Sequence, residues 1–450
     1  MAIPVIFSGL LTLPNLTLTL IDQNDWERIV KKLLKILGIL FKVIGIFVVL
    51  AFIAFWSIRI TIWNSNIKAY HTIDLDDGPH VFWLNDSTIN VASFKYIPAE
   101  NPFALSKVLD AAQNMKITVN YKVIEKIIDL RDTTDVLKRM DADFGIEFNP
   151  YEKPDIDESE YHAGKIAALS DIHGCYDHFI TMLKNNLIID QETNWSWGNG
   201  HLVLAGDVVD KGPWQTNCLW LIRKLEKQAE RAGGKVHYLL GNHETALLRE
   251  SAGRSDKIRT PGHKYPAIGK AIGIPYAHLF SEKSELGRWL RTKNTMVKIN
   301  DNLFLHAGIS NQLLEKDLTI DELNRYGRNY VDYDHWLAAD SKDREIYKLF
   351  EDYWGPYEYK GYFDDKVYKE DFSEKTVDDA LSFYNCKRII VGHSSIRNIH
   401  LRHNSKVVAI GIKLPRDGKI LDDENAQMLV IKDNKLQILN IRGKQEFLTE

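Results

Sequence analysis

Side chains that can bind metal ions follow five short apolar runs of the sequence. They are Asp171 with His173, Asp207 with Asp210, Asn242 with His243 and Glu244, His306, and His393. Short apolar runs are typical of buried parallel strands, and open α/β sheets bind ligands at the carboxyl ends of such strands. We therefore expect these side chains to converge on one site.

The residue types in these segments suit a metal centre. Asp171 and His173 are two positions apart, so both can lie on one side of an extended backbone and reach one cation. Asp207 can bridge two cations with its two oxygens, and Asn242 offers an amide oxygen. A set of nitrogen and oxygen ligands without thiolates suits Mn, Fe or Zn better than Ca. Any one of these residues could be a hydrogen-bonded structural residue, but five strand ends together favour a metal site.

Three of these segments carry a family resemblance. Asp171-Ile-His-Gly, Gly206-Asp-Val-Val-Asp-Lys-Gly and Gly241-Asn-His-Glu resemble the signature blocks of calcineurin-like metallophosphoesterases. Within that family the chain is most similar to the phosphoprotein phosphatase branch and its Shewanella-like phosphatases. Supporting segments are Ala232–Glu244, Gly287-Arg-Trp-Leu-Arg291 and Leu303–Ser310. The resemblance covers about residues 161–440 and does not extend to the first 160 residues.

The resemblance implies an α/β fold, a four-layer α/β/β/α sandwich, with two divalent metal ions. Asp171, His173 and Asp207 would hold the first ion. Asp207, Asn242, His306 and His393 would hold the second. A hydroxide bridging such a pair would attack phosphorus in line, without a covalent phosphoenzyme.

The resemblance also assigns residues to the substrate side of the site. His243 would protonate the departing oxygen, and Asp210 would orient that imidazole and favour its cationic form. Lys211 and Lys360 stand where the phosphatase branch usually has phosphate-binding arginines. Lysine keeps the positive charge but lacks the planar fork that binds two phosphate oxygens. We expect a working enzyme that is slower or less selective.

The expected activity is hydrolysis of phosphomonoesters, on serine, threonine or tyrosine side chains of a phosphoprotein or on a small phosphate ester. Val391-Gly-His-Ser-Ser lacks the second histidine that phosphodiesterase branches usually have two positions later, which favours monoesters. One alternative is a dinucleoside polyphosphate hydrolase, because that relative shares the three blocks. Another is a non-catalytic membrane-anchored metal-binding scaffold, against which the intact Asp210 and His243 argue.

Length and composition limit the remaining possibilities. A chain of 450 residues can form two or three domains. A formal net charge of −4 gives no electrostatic support for a nucleic-acid partner. The three cysteines, Cys175, Cys218 and Cys386, lack the spacing of a disulfide framework or a zinc ribbon.

The amino-terminal segment predicts a membrane anchor. Residues 36–58 are long and apolar enough to span a bilayer as one uncleaved helix. Four basic residues, Arg28, Lys31, Lys32 and Lys35, precede them. The positive-inside rule therefore places the amino terminus in the cytoplasm and the catalytic domain on the periplasmic side. An amphipathic surface helix over residues 27–42 is an alternative, and a second span within residues 1–21 would reverse the orientation.

The predicted domain organisation follows from these segments. Residues 1–64 form the tail with the transmembrane helix, residues 65–160 a small accessory α+β module and linker, and residues 161–450 the catalytic domain. The accessory module carries no motif that indicates its role.

Overall fold

The computed structural model describes residues 31–39, 45, 76–85, 87–97, 120–129, 131, 156–252, 264–332, 340–363, 368, 372–414 and 425–448. The chain divides into two compact units, Met1–Thr72 and Ile73–Glu450. In the first unit, residues 31–39 are helical. None of the helices in the ranges above is long and apolar enough to cross a membrane. Most of the expected span 36–58 lies outside the described residues, so the membrane helix stays a prediction.

A three-stranded antiparallel sheet opens the second unit. It consists of β1 (Asp77–Asn85), β2 (Thr88–Ile97) and β3 (Asn120–Asp129). Val81, Ile89 and Phe94 are buried and belong to the same apolar core as the residues that follow the sheet. The domain boundary expected at residue 160 stays a prediction, and the helical part of the module lies outside the described residues.

The other described strands form two six-stranded sheets. They are β4 (Glu160–Tyr161), β5 (Lys165–Leu169), β6 (His201–Leu204), β7 (Lys235–Tyr238), β8 (Met296–Ile299), β9 (Asn302–Leu305), β10 (Arg388–Val391), β11 (His400–Arg402), β12 (Val407–Ala409), β13 (Gln427–Lys432), β14 (Lys435–Asn440) and β15 (Gln445–Phe447). The sheet orders are β15-β14-β13-β5-β6-β7 and β11-β12-β10-β9-β8-β4. β5, β6 and β7 are parallel, as are β9, β10 and β12. The carboxyl ends within each parallel group therefore lie along one edge.

Helices connect and cover these strands. The described α-helices of the second unit are α1 (Tyr176–Asn185), α2 (Gln215–Arg231), α3 (Asn242–Ser251), α4 (Lys264–Ile272), α5 (Glu285–Leu290), α6 (Asn311–Leu314), α7 (Ile320–Tyr330), α8 (Ser341–Glu351) and α9 (Glu374–Phe383). Two 3₁₀ turns span Tyr276–Phe280 and Gly361–Phe363. α2 packs on β7 and α7 on β8, so each six-stranded sheet carries a helix.

Alternation along the strands explains the layers. Val203, Phe304 and Ile390 lie in an apolar cluster between the two six-stranded sheets. Their neighbours Leu204 and Leu305 belong to a second cluster, which also contains buried side chains of the helices. Because successive strand residues point to opposite faces, each strand supplies both clusters. The mixed α/β fold predicted from the sequence is confirmed.

Candidate functional site

The candidate ligands stand directly after strands β5, β6, β7, β9 and β10. Asp171, His173, Asp207 and His393 have positive φ angles of 58°, 47°, 56° and 60°. Such angles are uncommon for residues other than glycine and occur at sharp turns. The chain therefore turns abruptly after β5, β6 and β10 and directs these side chains toward one place.

Asp207 lies at the centre of the cluster. Its Oδ1 is 3.3 Å from His306 Nε2, and its Oδ2 is 3.6 Å from His173 Nε2. One carboxylate thus faces two groups of ligands, as expected for a bridging residue. Burial opposes ionisation of Asp207, but the neighbouring His306 and His243 hold its pKa well below the usual range.

The second group of ligands surrounds His306. His306 Nδ1 lies 2.8 Å from the carbonyl of Ala205, so Nδ1 carries the donated proton. Burial opposes protonation of His306, but the neighbouring Asp207 raises its pKa to about 9. A cation bound here would therefore take the place of the Nε2 proton, which faces Asn242 Oδ1 at 3.1 Å and Asp207 Oδ1. His393 Nε2 is buried and has no hydrogen-bond partner among the described residues. Lone pairs that face one another in a buried place fit a divalent cation.

The first group of ligands consists of Asp171, His173 and Asp207. His173 Nδ1 lies 3.1 Å from the carbonyl of Val209, and its Nε2 is 3.8 Å from Asp171 Oδ1. Burial lowers the pKa of His173 to about 3, which keeps the imidazole neutral as a metal ligand requires. Asp171 Oδ2 accepts hydrogen bonds from Ser170 Oγ at 2.8 Å and from the His393 amide at 2.9 Å, leaving Oδ1 toward His173.

Glu244 holds the loop that carries Asp207. Its fully buried carboxylate accepts hydrogen bonds from the amides of Asp207, Val208, Val209 and Gly241 and from the Tyr238 hydroxyl. These bonds satisfy the buried charge and fix the backbone after β6. Glu244 is therefore a hydrogen-bond partner of the site and not one of the converging ligands.

His243 and Asp210 form a pair beside the ligands. His243 Nδ1 is 2.7 Å from Asp210 Oδ2, and its Nε2 is 3.7 Å from Asp207 Oδ2. Burial lowers the pKa of His243, but Asp207 and the hydrogen bond to Asp210 outweigh it, so the net direction is upward. The imidazole is thus held as a proton donor with Nε2 directed toward the cluster.

The two lysines approach the cluster from different sides. Lys211 Nζ lies 2.7 Å from His173 Nε2, at the first group of ligands. Burial and the charge of His306 lower the pKa of His393, and the charge of the half-buried Lys360 adds to this effect. The structure therefore brings both lysines to the candidate site.

Sequence reasoning missed Glu358. Its Oε1 accepts a hydrogen bond from Asn242 Nδ2 at 2.9 Å, and its Oε2 is 3.6 Å from His393 Nε2. Glu358 follows no strand, so the pattern of polar residues at strand ends could not find it. Its position two residues before Lys360 was the available signal.

A cavity of about 1000 Å³ opens beside the His243–Asp210 pair. Its lining includes Asp210, His243, Tyr265, Tyr276, Tyr330 and Tyr357. The cavity lies on the side of His243, where the group released from a phosphate ester would stand. Its volume can accept a leaving group much larger than phosphate.

Comparisons with known proteins agree with this geometry. The chain is 27% identical over 266 residues to Shewanella-like protein phosphatase 1 of Plasmodium berghei, covering 54% of this chain and 66% of that protein. It is 30% identical over 150 residues to the symmetrical bis(5'-nucleosyl)-tetraphosphatase of Nitrosococcus oceani, covering 33% of this chain and 45% of that protein. The chain thus spans less than two thirds of the length of these curated relatives.

A solved structure extends the similarity toward the amino terminus. The crystal structure of the cold-active protein-tyrosine phosphatase of a psychrophile Shewanella sp. matches with a TM-score of 0.63 and 29% identity. The match covers 83% of this chain and 99% of that chain, a larger share than residues 161–450 make up. We expected the resemblance to begin at about residue 161. For the structural similarity this expectation is wrong, because the match includes residues before that position.

The family assignment rests on the segment that holds the site. The model of the calcineurin-like phosphoesterase family matches residues 164–396, which include every candidate ligand, His243, Asp210 and both lysines. This segment is more than half of the chain. The chain belongs to the calcineurin-like phosphoesterase family.

Proposed function

We propose that the protein is a metal-dependent phosphatase that hydrolyses phosphomonoesters. The observation that carries the proposal is the placement of Asp207 between two groups of lone-pair donors, with the His243–Asp210 pair beside them. A binding scaffold has no use for a leaving-group acid. This pair therefore favours an enzyme over a non-catalytic metal-binding scaffold.

The residues divide the chemistry between them. When bound, two divalent cations, of which Mn, Fe or Zn suit the ligand set, would lower the pKa of an attacking water and neutralise the phosphoryl oxygens. His243 would donate a proton from Nε2 to the departing oxygen, while Asp210 holds Nδ1. Lys211 and Lys360 would add positive charge beside the phosphate without the geometric selectivity of arginine.

The substrate is proposed to be a phosphoprotein or a small phosphate ester. The 1000 Å³ cavity beside His243 can hold an aromatic or peptidic leaving group. The names of the Plasmodium and Shewanella relatives support a protein substrate for this chain. The Nitrosococcus relative supports a second candidate, a dinucleoside polyphosphate hydrolase, over a shorter alignment. Turnover on a tyrosine phosphopeptide and on a dinucleoside tetraphosphate would separate these two functions.

The decisive experiment measures hydrolysis of p-nitrophenyl phosphate by the full chain supplied with Mn, Fe, Zn or Mg. We expect activity with at least one metal and its loss in Asp207→Asn, together with reduced metal content. His243→Asn should lower turnover on esters with poor leaving groups by about 10²–10⁴-fold and leave the metal content unchanged. A wild-type protein that binds metal but hydrolyses no ester under these conditions would contradict the proposal.

We also propose that residues 36–58 anchor the protein in a membrane with the catalytic domain on the periplasmic side. The support is the apolar sequence and the basic residues before it. An alkaline wash should leave the full chain in the membrane fraction. Protease added to intact spheroplasts should then degrade the catalytic domain, whereas its protection would reverse the orientation.

A further inference from the structure

The turn that carries Asp210 has an unfavourable backbone conformation. Asp210 and Lys211 have φ angles of 67° and 64°, so two consecutive residues other than glycine are left-handed. Side chains make this conformation sterically costly, and surrounding contacts must impose it. Because Asp210 holds the His243 imidazole, the contacts that impose the turn also decide where the proton donor points.

Three backbone groups of Asp210 and Gly212 form hydrogen bonds with residues outside the turn. The Asp210 amide donates to Gln215 Oε1 at 2.8 Å, and the Gly212 amide donates to the His173 carbonyl at 2.8 Å. The Tyr265 hydroxyl donates to the Gly212 carbonyl at 2.6 Å. Gln215 begins α2 directly after the turn and His173 follows β5, whereas Tyr265 comes from α4. Tyr265 is therefore a support that reaches the turn from outside.

Tyr265 is itself held by the three-stranded sheet. Its ring packs on Tyr276 with a centroid distance of 4.5 Å. The Tyr276 hydroxyl donates to Asp77 Oδ2 at 2.8 Å, and its oxygen is 3.3 Å from Thr216 Oγ1 in the first turn of α2. Asp77 begins β1, outside the segment that matches the family. The sheet is thus connected to the turn and to the helix that follows the turn.

The Asp77 carboxylate, which accepts the hydrogen bond from Tyr276, is held in place by further contacts. His80 Nε2 lies 2.9 Å from the same Asp77 oxygen, and neither side chain has exposed area. Trp220 Nε1, in the middle of α2, donates to the Pro79 carbonyl at 2.8 Å. β1 is therefore joined to α2 directly at Pro79 and indirectly through Tyr276. Burial also raises the pKa of Tyr265 and Tyr276 well above the usual range, so both hydroxyls remain donors.

We propose that Tyr265 is a positioning residue for the Asp210–His243 pair, and that the three-stranded sheet holds Tyr265 through Asp77 and Tyr276. The inference rests on the proposed function, in which His243 donates the leaving-group proton. It gives the accessory sheet a role in catalysis, because the sheet stabilises the turn on which the proton donor depends. The sheet itself contacts no reacting atom.

This role predicts a dependence on the leaving group. Phenyl phosphate releases a basic phenolate that needs a proton, whereas p-nitrophenyl phosphate releases an anion that departs with little help. A displaced proton donor therefore slows the first ester and spares the second. A general loss of structure or of metal would slow both esters by the same factor.

The experiment compares kcat and KM of the full chain with Mn on these two esters. In Tyr265→Phe we expect kcat on phenyl phosphate to fall about tenfold, with KM and the p-nitrophenyl phosphate rate nearly unchanged. Tyr276→Phe should show the same selectivity with a smaller loss. Tyr384→Phe is the matched control, because its buried hydroxyl donates to another backbone carbonyl, that of Leu318 at 3.2 Å. Both rates should be unchanged in that variant.

His243→Asn separates failure of the inference from failure of the proposed function. If His243→Asn is selectively slow on phenyl phosphate while both tyrosine variants behave like Tyr384→Phe, or lose both activities equally, the positioning role is overturned alone. If His243→Asn shows no selectivity, the leaving-group role of His243 fails and the inference fails with it, although the protein is still a phosphatase. If the wild type hydrolyses neither ester, the proposed function itself fails.

Discussion

At the scale of single residues, hydrogen-bond donors and acceptors decide what the site can hold. The Glu358 carboxylate only accepts, so Asn242 must present its Nδ2 to Glu358 and its Oδ1 to His306. Asn242 Oδ1 is thereby aimed into the second group of ligands. Glu358 is in this way part of the candidate metal site, although it was not among the residues predicted from the sequence.

Replacing Glu358 tests this orientation. We expect Glu358→Ala to weaken binding at the second metal site by about 10–100-fold, because the Asn242 amide is then free to rotate. Glu358→Gln retains an acceptor for Asn242 and should lose less. Titration calorimetry with Mn measures both variants, and an unchanged affinity in Glu358→Ala would show that Asn242 is oriented by other contacts.

The charge of Asp210 should set the pH range of the proton donor. The hydrogen bond to Asp210 raises the pKa of His243, so Asp210→Asn lowers that pKa. The imidazolium form is then lost at lower pH, and the alkaline fall of kcat on phenyl phosphate should move to lower pH. A pH–rate profile of both proteins checks the sign, and a fall that stays in place or moves upward contradicts it.

At the scale of elements, strands β5, β6 and β10 present their ligands at sharp turns. The turns require close approach of backbones, and Gly212 is the clearest case. A Cβ on Gly212 would lie 2.2 Å from the His173 carbonyl oxygen, closer than any real contact. The turn after β6 and the turn after β5 therefore touch through this glycine.

Gly212→Ala should separate these two turns. We expect phosphatase activity to be lost and the free energy of unfolding to fall by about 1–3 kcal/mol, since the loops must move apart. Gly164→Ala is the control, because nothing lies within 4 Å of its Cβ position. That variant should stay within about 0.5 kcal/mol of the wild type. Urea denaturation measures both, and equal stability of the two variants would argue against the close contact.

At the scale of the whole molecule, the three-stranded sheet shares a core with the residues that follow it. Val81, Ile89, Phe94 and Ile128 are buried in the cluster that also contains Trp289 and Phe280. The second compact unit, Ile73–Glu450, accordingly includes this sheet. Removing the sheet would expose the apolar surface that it covers.

Truncation distinguishes a shared core from an independent module. We expect a fragment of residues 73–450 to unfold in one cooperative thermal transition and to keep wild-type kcat. A fragment of residues 156–450 should bind a hydrophobic dye and aggregate, because its exposed core loses about 25 cal/mol of stabilisation per Å² uncovered. Cooperative unfolding of the shorter fragment with full activity would contradict the shared core.

The sequence by itself determined the features that depend only on residues close to one another in the chain. Short apolar runs and the polar groups after them predicted buried parallel strands with candidate ligands at their ends, because both are properties of neighbouring residues. The family resemblance predicted the α/β sandwich and the set of six ligands. It also predicted the pairing of Asp210 with His243, which the structure places 2.7 Å apart.

Only the tertiary structure decided which distant residues support that site. Glu358 reaches Asn242 across 116 positions, and Asp77 reaches Tyr276 across 199. No periodic pattern connects such residues, since their contact exists only after the sheets and helices have packed. Local sequence thus places the ligands at the strand ends, whereas packing between distant segments fixes the angles at which they meet.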